Sequence, residues 1–171
     1  IITILAGFLF GLIVTVILHS SSATTAILIT MGVNGVIGWQ FAATAVLGSN
    51  VGSTLDAVLA AAGSKLNARR LAAVHVLFNV VGSIVALILL HPFMLLVDSF
   101  FRSGATTANI GSRIALFHTL FNTINTMIWL PFIDQVARIV EWMVKPNAKE
   151  SDNEYNLYFV SAVFKDNPTA Y

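Results

Sequence analysis

The sequence predicts an all-α integral membrane protein: a re-entrant helical hairpin followed by about three transmembrane helices, one of them unwound in mid-membrane. Three observations carry this. Hydrophobic residues make up 57% of the 171 and charged residues only 10%, against about 25% charged in a soluble domain. The mean hydropathy is +0.83. Between Ile1 and Ser64 the only formal charge is Asp56. A globular surface cannot be made from that segment, which excludes a soluble enzyme. A net charge of +1 leaves no basic field for nucleic acid. The absence of Cys removes disulfides, thiolate metal sites and a thiol nucleophile.

The elements follow in order. Ile1–Leu18 is an apolar run with no basic n-region, so it is a poor signal peptide, and the chain is read as beginning inside a larger membrane protein. Residues 1–33 read as the hairpin, with its tip at His19–Thr25 and its close at the turn-rich Met31–Gly35. Residues 37–62 read as a membrane helix unwound at Gly48–Ser53. Irregular chain at membrane depth is tolerated only where it lines a cavity or is buried in protein, and discontinuous helices of this kind are a transporter device. Two runs without Asp, Glu, Lys or Arg, Leu71–Val97 and Ile114–Ile133, are long enough to cross a hydrocarbon core of roughly 30 Å. They define helices over 71–97 and 113–135, bounded by Arg69, Arg70 and Asp98 and by Arg113 and Asp134. Residues 136–171 read as a cytoplasmic linker and the start of a truncated soluble region. Lys65, Arg69 and Arg70 in one loop, and Arg138, Lys145 and Lys149 after the last helix, lie an even number of crossings apart. The positive-inside rule makes both places cytoplasmic, in a multi-pass protein of the cytoplasmic membrane with a cytoplasmic tail.

The two polar interruptions carry the chemistry. Ser20, Ser21 and Ser22 precede a half-helix beginning near Ala23, with Thr24 and Thr25 in its first turn. A helix N-terminus offers unpaired N–H groups and the positive dipole end, an anion site to which hydroxyls add donors. Asn50, Gly52, Ser53 and Thr54 repeat the arrangement ahead of Leu55–Ala62, with Gly48 and Gly52 permitting positive φ and close approach. Freed carbonyls around Leu18–His19 and Leu47–Ser49 suit a hard cation such as Na⁺. The predicted anion site is therefore Ser20, Ser21, Ser22, Thr24, Asn50, Gly52, Ser53 and Thr54, and the predicted site for a hard cation such as sodium is Leu18, His19, Ser49, Asn50 and Asp56. Ordinary packing competes with this reading, because Ser, Thr and Gly are enriched wherever membrane helices meet. Gly7-Phe8-Leu9-Phe10-Gly11 is such a contact. Asp56 is either a further cation ligand or a first-turn carboxylate favoured by the helix dipole.

A short repeat, His75-Val76-Leu77-Phe78-Asn79, returns as His118-Thr119-Leu120-Phe121-Asn122. In each copy His and Asn share a helix face. His75, Asn79, His118 and Asn122 either line the cavity or pack as neutral interhelical hydrogen-bonding groups. Trp39, Trp129 and Trp142 read as interfacial anchors. No metalloprotease, P-loop or triad pattern occurs, so no catalytic residue, transition metal or organic cofactor is expected.

His19-Ser20-Ser21-Ser22-Ala23-Thr24-Thr25 followed by Gly48-Ser49-Asn50-Val51-Gly52-Ser53-Thr54 resembles the Q-S-S-S and G-[AS]-N-[IV]-G-T-T motifs of the type II sodium-dependent phosphate cotransporters. The paired His…Phe-Asn segments look like the bacterial branch, and the resemblance covers about Gly7 to Phe132. It implies the second inverted repeat of a sodium–phosphate symporter, one half of an inverted-repeat transporter, with a PhoU-like cytoplasmic region after it. The partners implied are inorganic phosphate, Na⁺ as coupling ion, the lipid bilayer, the N-terminal repeat of the same protein and further copies in a homo-oligomer, with no nucleic acid. The competing readings are a phosphate-linked regulatory membrane protein and a cation-coupled symporter of another oxyanion, sulfate or a carboxylate. Two positions depart from the motifs. Ser53 stands for Thr and keeps the hydroxyl. His19 stands for Gln and brings an imidazole, a group that changes charge near neutral pH.

Overall fold

A computed structural model describes residues 1–146, and over those residues the chain is all helical. Eight α-helices follow one another: α1 Ile2–Leu18, α2 Ser21–Val33, α3 Trp39–Gly52, α4 Thr54–Ala61, α5 Leu66–Ile88, α6 Leu90–Asp98, α7 Ile110–Trp129 and α8 Ile133–Met143, with a 3₁₀ turn at Leu130–Phe132 before the last. Among the described residues, α5 alone is both long and apolar enough to cross a membrane, while α1 and α2 are shorter apolar helices.

The core is built around α3. Ala42, Ala43, Ala45, Val46 and Leu47 are fully buried, because α1, α2, α5 and α7 all pack against this one helix. The α1–α3 contact is the most extensive, and glycines make it so. A Cβ on Gly7 would overlap the Thr44 hydroxyl, one on Gly11 the Ala45 carbonyl, and one on Gly48 the Phe8 carbonyl, while one on Gly52 would lie 2.6 Å from the Leu12 carbonyl. Residue numbers rise together along both helices through these contacts, so α1 and α3 run parallel and α2 returns between them.

Gly32 abuts Ile110 and Gly111 abuts Ile29, which places the start of α7 against the end of α2. Phe93 meets Phe117 at 4.7 Å and Phe78 meets Trp129 at 6.1 Å, so the α5–α6 arm runs antiparallel to α7. The 34–38 and 99–109 connections therefore share one end of the bundle, and the start of α5 and α8 share the other. Arg70 fixes that second end: its Nε donates to the Val144 carbonyl at 3.3 Å and its Nη1 lies 3.5 Å from Glu141.

Several expected boundaries are corrected. The segment Gly48–Ser53 is not unwound. Residues through Gly52 are helical, and Ser53, with φ −65° and ψ −17°, stays in the right-handed helical region. The hydroxyls explain it: Ser49, Ser53 and Thr54 each donate to the carbonyl three residues back, at 2.9, 2.7 and 2.7 Å. They satisfy helical backbone instead of replacing it. Gly48 and Gly52 serve close approach, and neither has a positive φ.

The helix expected over 71–97 is two helices meeting at Leu89. Pro92 lacks an N–H and its ring would strike the carbonyl four residues back, that of Ile88, where α5 ends. The helix expected over 113–135 begins earlier, at Ile110, and stops at Trp129 for the same reason, since Pro131 lies in the following turn. The second arm of the hairpin starts at Ser21, ahead of Ala23. Of the 136–171 segment, the part through Met143 belongs to α8, and everything from Asn147 onward, Lys149 included, lies outside the described residues.

Two stability measurements check this packing on the full-length protein. Gly48→Val should destabilise by more than about 2 kcal/mol, since the added carbons meet backbone that cannot move aside. Ser20→Ala, which removes the Oγ that caps α2, should cost about 1 kcal/mol, and the exposed Ser22→Ala much less. Equal losses for the two serines would contradict the cap assignment.

Candidate functional site

The first polar segment is a corner between two helices. His19 ends α1 in the left-handed region (φ 53°, ψ 30°), and it is the one non-glycine residue with positive φ among those described. His tolerates that region better than most residues, although it remains uncommon for any side chain bearing a Cβ. Ser20 then takes an extended conformation and caps α2, its Oγ accepting from the Ala23 N–H at 3.2 Å. Thr24 and Thr25 donate to the carbonyls of Ser20 and Ser21 at 3.1 and 2.8 Å. The N–H groups of Ser21 and Ser22, at the first two helical positions, have no intrahelical acceptor. The corner thus places a helix N-terminus at Ser20–Ser22, with Ser20 and Ser21 half-buried and Ser22 exposed.

The second polar segment differs in character. Ser49 is fully buried, Thr54 nearly so, and Asn50 is 4% exposed. The hydroxyl protons are already donated within the helix, as described above. The Ser49 carbonyl accepts the Ser53 N–H at 3.1 Å, and the Leu47 carbonyl accepts the Ser83 hydroxyl at 3.3 Å. The freed carbonyls expected around Leu47–Ser49 are thus engaged, and no gap between helix ends opens there. What is left over is one donor: Asn50 Nδ2 is buried and has no hydrogen-bond partner among the described residues. A buried unpaired amide N–H₂ costs about 1–3 kcal/mol. It is a donor without an acceptor, so an anionic or carbonyl oxygen would fill it and a cation would not.

The two segments are neighbours, linked at two places. Thr15 of α1 donates to Thr24 of α2 at 2.8 Å with both residues fully buried, and the Thr15 Cβ lies 3.0 Å from where a Cβ on Gly52 would stand. Thr15 is a member of this junction that the sequence reading passed over, because it sits inside an otherwise apolar run. The second link is a hydrogen bond between His19 Nδ1 and Asp56 Oδ1, 37 residues apart. Asp56 is also in the first turn of α4. The pair is more than a third exposed on both sides, so its contribution to stability is small. Its structural content is geometric: the imidazole occupies the Asp56 carboxylate expected to hold a cation.

The repeated His…Asn segments behave alike. Asn79 Nδ2 donates to the His75 carbonyl at 3.0 Å and Asn122 Nδ2 to the His118 carbonyl at 2.9 Å. Both amides thus return to their own helices. The tie between α5 and α7 comes instead from Asn125, whose Nδ2 donates to the Phe78 carbonyl at 3.2 Å and whose Oδ1 accepts the Trp129 indole N–H at 3.0 Å. His75 borders an apolar cleft of about 520 Å³ between α4 and α5, with Ala57, Ala61 and Phe78 among its other walls.

Arg113 is the largest departure from expectation. Taken from the sequence as a charge flanking a helix, it is fully buried inside α7. Its guanidinium pairs with Asp98, donates to the Ser103 carbonyl and, through Nε, to Asn109 Oδ1 at 3.1 Å, and lies 4.5 Å from the centre of the Phe101 ring. It therefore clamps the connection between α6 and α7. Asp98 and Arg113 stand 15 residues apart in the sequence, and nothing local marks them as partners. No group of three or more His, Asp or Glu side chains capable of holding a metal occurs among the described residues.

Comparison with known proteins places the chain in a family. The Na⁺/Pi-cotransporter family model matches residues 2–128. The chain is 34% identical over 139 residues to "Uncharacterized protein YqeW" of Bacillus subtilis (strain 168), covering 81% of this chain and 43% of that protein. It is 29% identical over 166 residues to "Putative inorganic phosphate export protein YjbB" of Escherichia coli (strain K12), covering 97% of this chain and 29% of that protein. The protein of the same name in Salmonella typhimurium is 27% identical over 161 residues, covering 94% and 28%. The chain thus spans less than half the length of these relatives. No solved structure matches. The family model spans both polar segments, the α1–α3 glycine contact and nearly all of α7, and the chain belongs to the Na⁺/Pi-cotransporter family.

Proposed function

We propose that this chain forms one half of the transport path of a sodium-dependent inorganic phosphate symporter in the cytoplasmic membrane. The observation that carries the reading is the unpartnered Asn50 amide, buried in the helix that the Ser20–Thr24 corner is packed against. A phosphate oxygen supplies the acceptor that amide lacks, while Ser20, Ser21, Ser22 and the first-turn N–H groups of α2 supply further donors without formal charge. Gly52, Ser53 and Thr54 keep the wall of the site small and hydroxylated. Na⁺ is the coupling ion in this reading, taken up by Asp56 and the carbonyl oxygens of Leu18 and His19 at the end of α1, which requires the His19–Asp56 contact to open when the cation enters.

Helix lengths support the re-entrant hairpin. The 17 and 13 residues of α1 and α2 span roughly 25 and 20 Å at 1.5 Å per residue, short of a roughly 30 Å hydrocarbon core. The corner stands level with Asp56, and α4 continues past it to Ala61. The basic Lys65–Arg70 segment and α8 lie at the same end of the bundle, consistent with both being cytoplasmic. The site is completed by the other repeat of the same protein, so the 171-residue chain alone is not expected to transport.

The YjbB relatives are named for phosphate export. A coupled carrier is reversible, so the direction of flux follows the imposed gradients. Full-length protein in proteoliposomes, given labelled phosphate and a Na⁺ gradient of either sense, tests this directly. Phosphate should accumulate on the side toward which Na⁺ flows. Flux indifferent to the Na⁺ gradient sinks the coupling, and equal competition by sulfate sinks the choice of anion. Asn50→Leu, isosteric but without the donor, should weaken phosphate binding about tenfold or more. Unchanged binding would remove Asn50 from the site.

A further inference from the structure

α8 is the most strongly amphipathic of the helices, and only part of its apolar side is used. Val136 and Val140 are buried, and the helix α8 packs on is α5. At 100° per residue, Ile139, Trp142 and Met143 form a second apolar strip roughly a quarter turn away. They are 48%, 76% and 56% exposed. Asp134 and Glu141 fall on the far side, Arg138 borders the strip, and Gln135 lies within its angular range one turn before Ile139.

The position of α8 is as informative as its pattern. Arg70 ties its C-terminal end to the start of α5, the helix of membrane-crossing length. α8 therefore stands at the level where α5 would enter a bilayer. Among the described residues, Lys65, Arg69, Arg70, Arg138 and Lys145 gather here with Asp134 and Glu141, so the described part of this end of the bundle carries an excess of positive charge.

We propose that α8 lies in the plane of the cytoplasmic membrane surface, with the Ile139–Trp142–Met143 strip immersed at the headgroup–acyl boundary and the surrounding basic side chains held by anionic phospholipid. This rests on the membrane-embedded reading given above. A strip three residues wide is small for a stable protein interface, which needs some 20–30 residues a side. A bilayer demands no matching surface. It asks for an apolar face, an amphipathic aromatic at the boundary and basic groups that reach the phosphates, and α8 has all three. Each basic residue near an anionic surface adds about fivefold to the immersed population.

The test uses full-length protein freed of other cysteines and reconstituted in bilayers, with single spin labels at Asp134→Cys, Ile139→Cys, Trp142→Cys and Met143→Cys. Collision with oxygen reports lipid and collision with a nickel chelate reports water. Labels at 139, 142 and 143 should favour oxygen and the label at 134 should favour nickel. Arg138→Gln should lower the immersed-to-raised ratio at 142 about fivefold in bilayers containing anionic phospholipid, with no change in zwitterionic bilayers. Nickel access at all four positions overturns the proposal, as does exclusion of both reagents along the strip, which would mean a protein partner covers it. An Arg138→Gln effect independent of lipid charge overturns the anionic-lipid component. Retention of the same protein in the bilayer after an alkaline carbonate wash separates the two readings. A washed-out protein refutes membrane embedding itself, whereas a retained protein with a water-exposed strip refutes only the placement of α8.

Discussion

Everything in the candidate site depends on how closely α1 can approach α3. Gly7 and Gly11 on one helix and Gly48 and Gly52 on the other leave no room for a single Cβ at most of these positions. Backbone-to-backbone packing of this kind needs no hydrophobic driving force, which is what membrane helices lack when they associate. It also fixes register. The corner at His19–Ser20 falls opposite Gly52–Asp56 because the glycine pairs set that offset, and a shift by one residue would push a side chain into a carbonyl. The Thr15–Thr24 and His19–Asp56 contacts are consequences of that register, and neither is strong enough to impose it.

Around this contact the polar groups are almost all accounted for internally. Serine and threonine hydroxyls return to the preceding turn, Asn79 and Asn122 to their own helices, and Asn125 bridges α5 and α7. The same constraint that forbids open backbone in lipid thus disposes of nearly every donor before a substrate arrives. Against that background the Asn50 amide is informative: like the Trp39 indole N–H it is a buried donor without a partner among the described residues, and it is the one of the two that lies in a polar segment. The second polar segment turns out to work by saturating a helix, where the first works by ending one.

Much of this was legible in the residues. The two hydroxyl-rich segments, the corner at His19–Ser20, the all-helical class and the family followed from small polar residues set in apolar runs. The Gly7–Gly11 contact was visible as a spacing. What misled was the behaviour of serine and glycine in context. Gly48 to Ser53 reads as chain-breaking by propensity, yet side-chain-to-backbone bonds and a close-packed neighbour hold it helical, a tertiary effect that propensity does not contain. Pro92 and Pro131 were present in the sequence and mark both breaks that a pure hydropathy reading passes over. Asp56 with His19, and Asp98 with Arg113, are pairings across 37 and 15 residues. Contacts of that kind arise from the packing of helices and leave no local signature.

The clamp around Arg113 bears on how an anion would reach this part of the protein. At the end of the bundle formed by the 34–38 and 99–109 connections, the described ionisable side chains include Asp98, Arg102 and Arg113, and Arg113 is spent internally on Asp98. A charge neutralised within its own loop projects almost no field. Among the described residues at this end, Arg102 is then the one charge left outside the pair, a weak source of the long-range field that gathers ions from a distance and speeds encounter. In the proposed site, discrimination in favour of a negative species would therefore rest on contact range, where hydrogen-bond donors take over from charge.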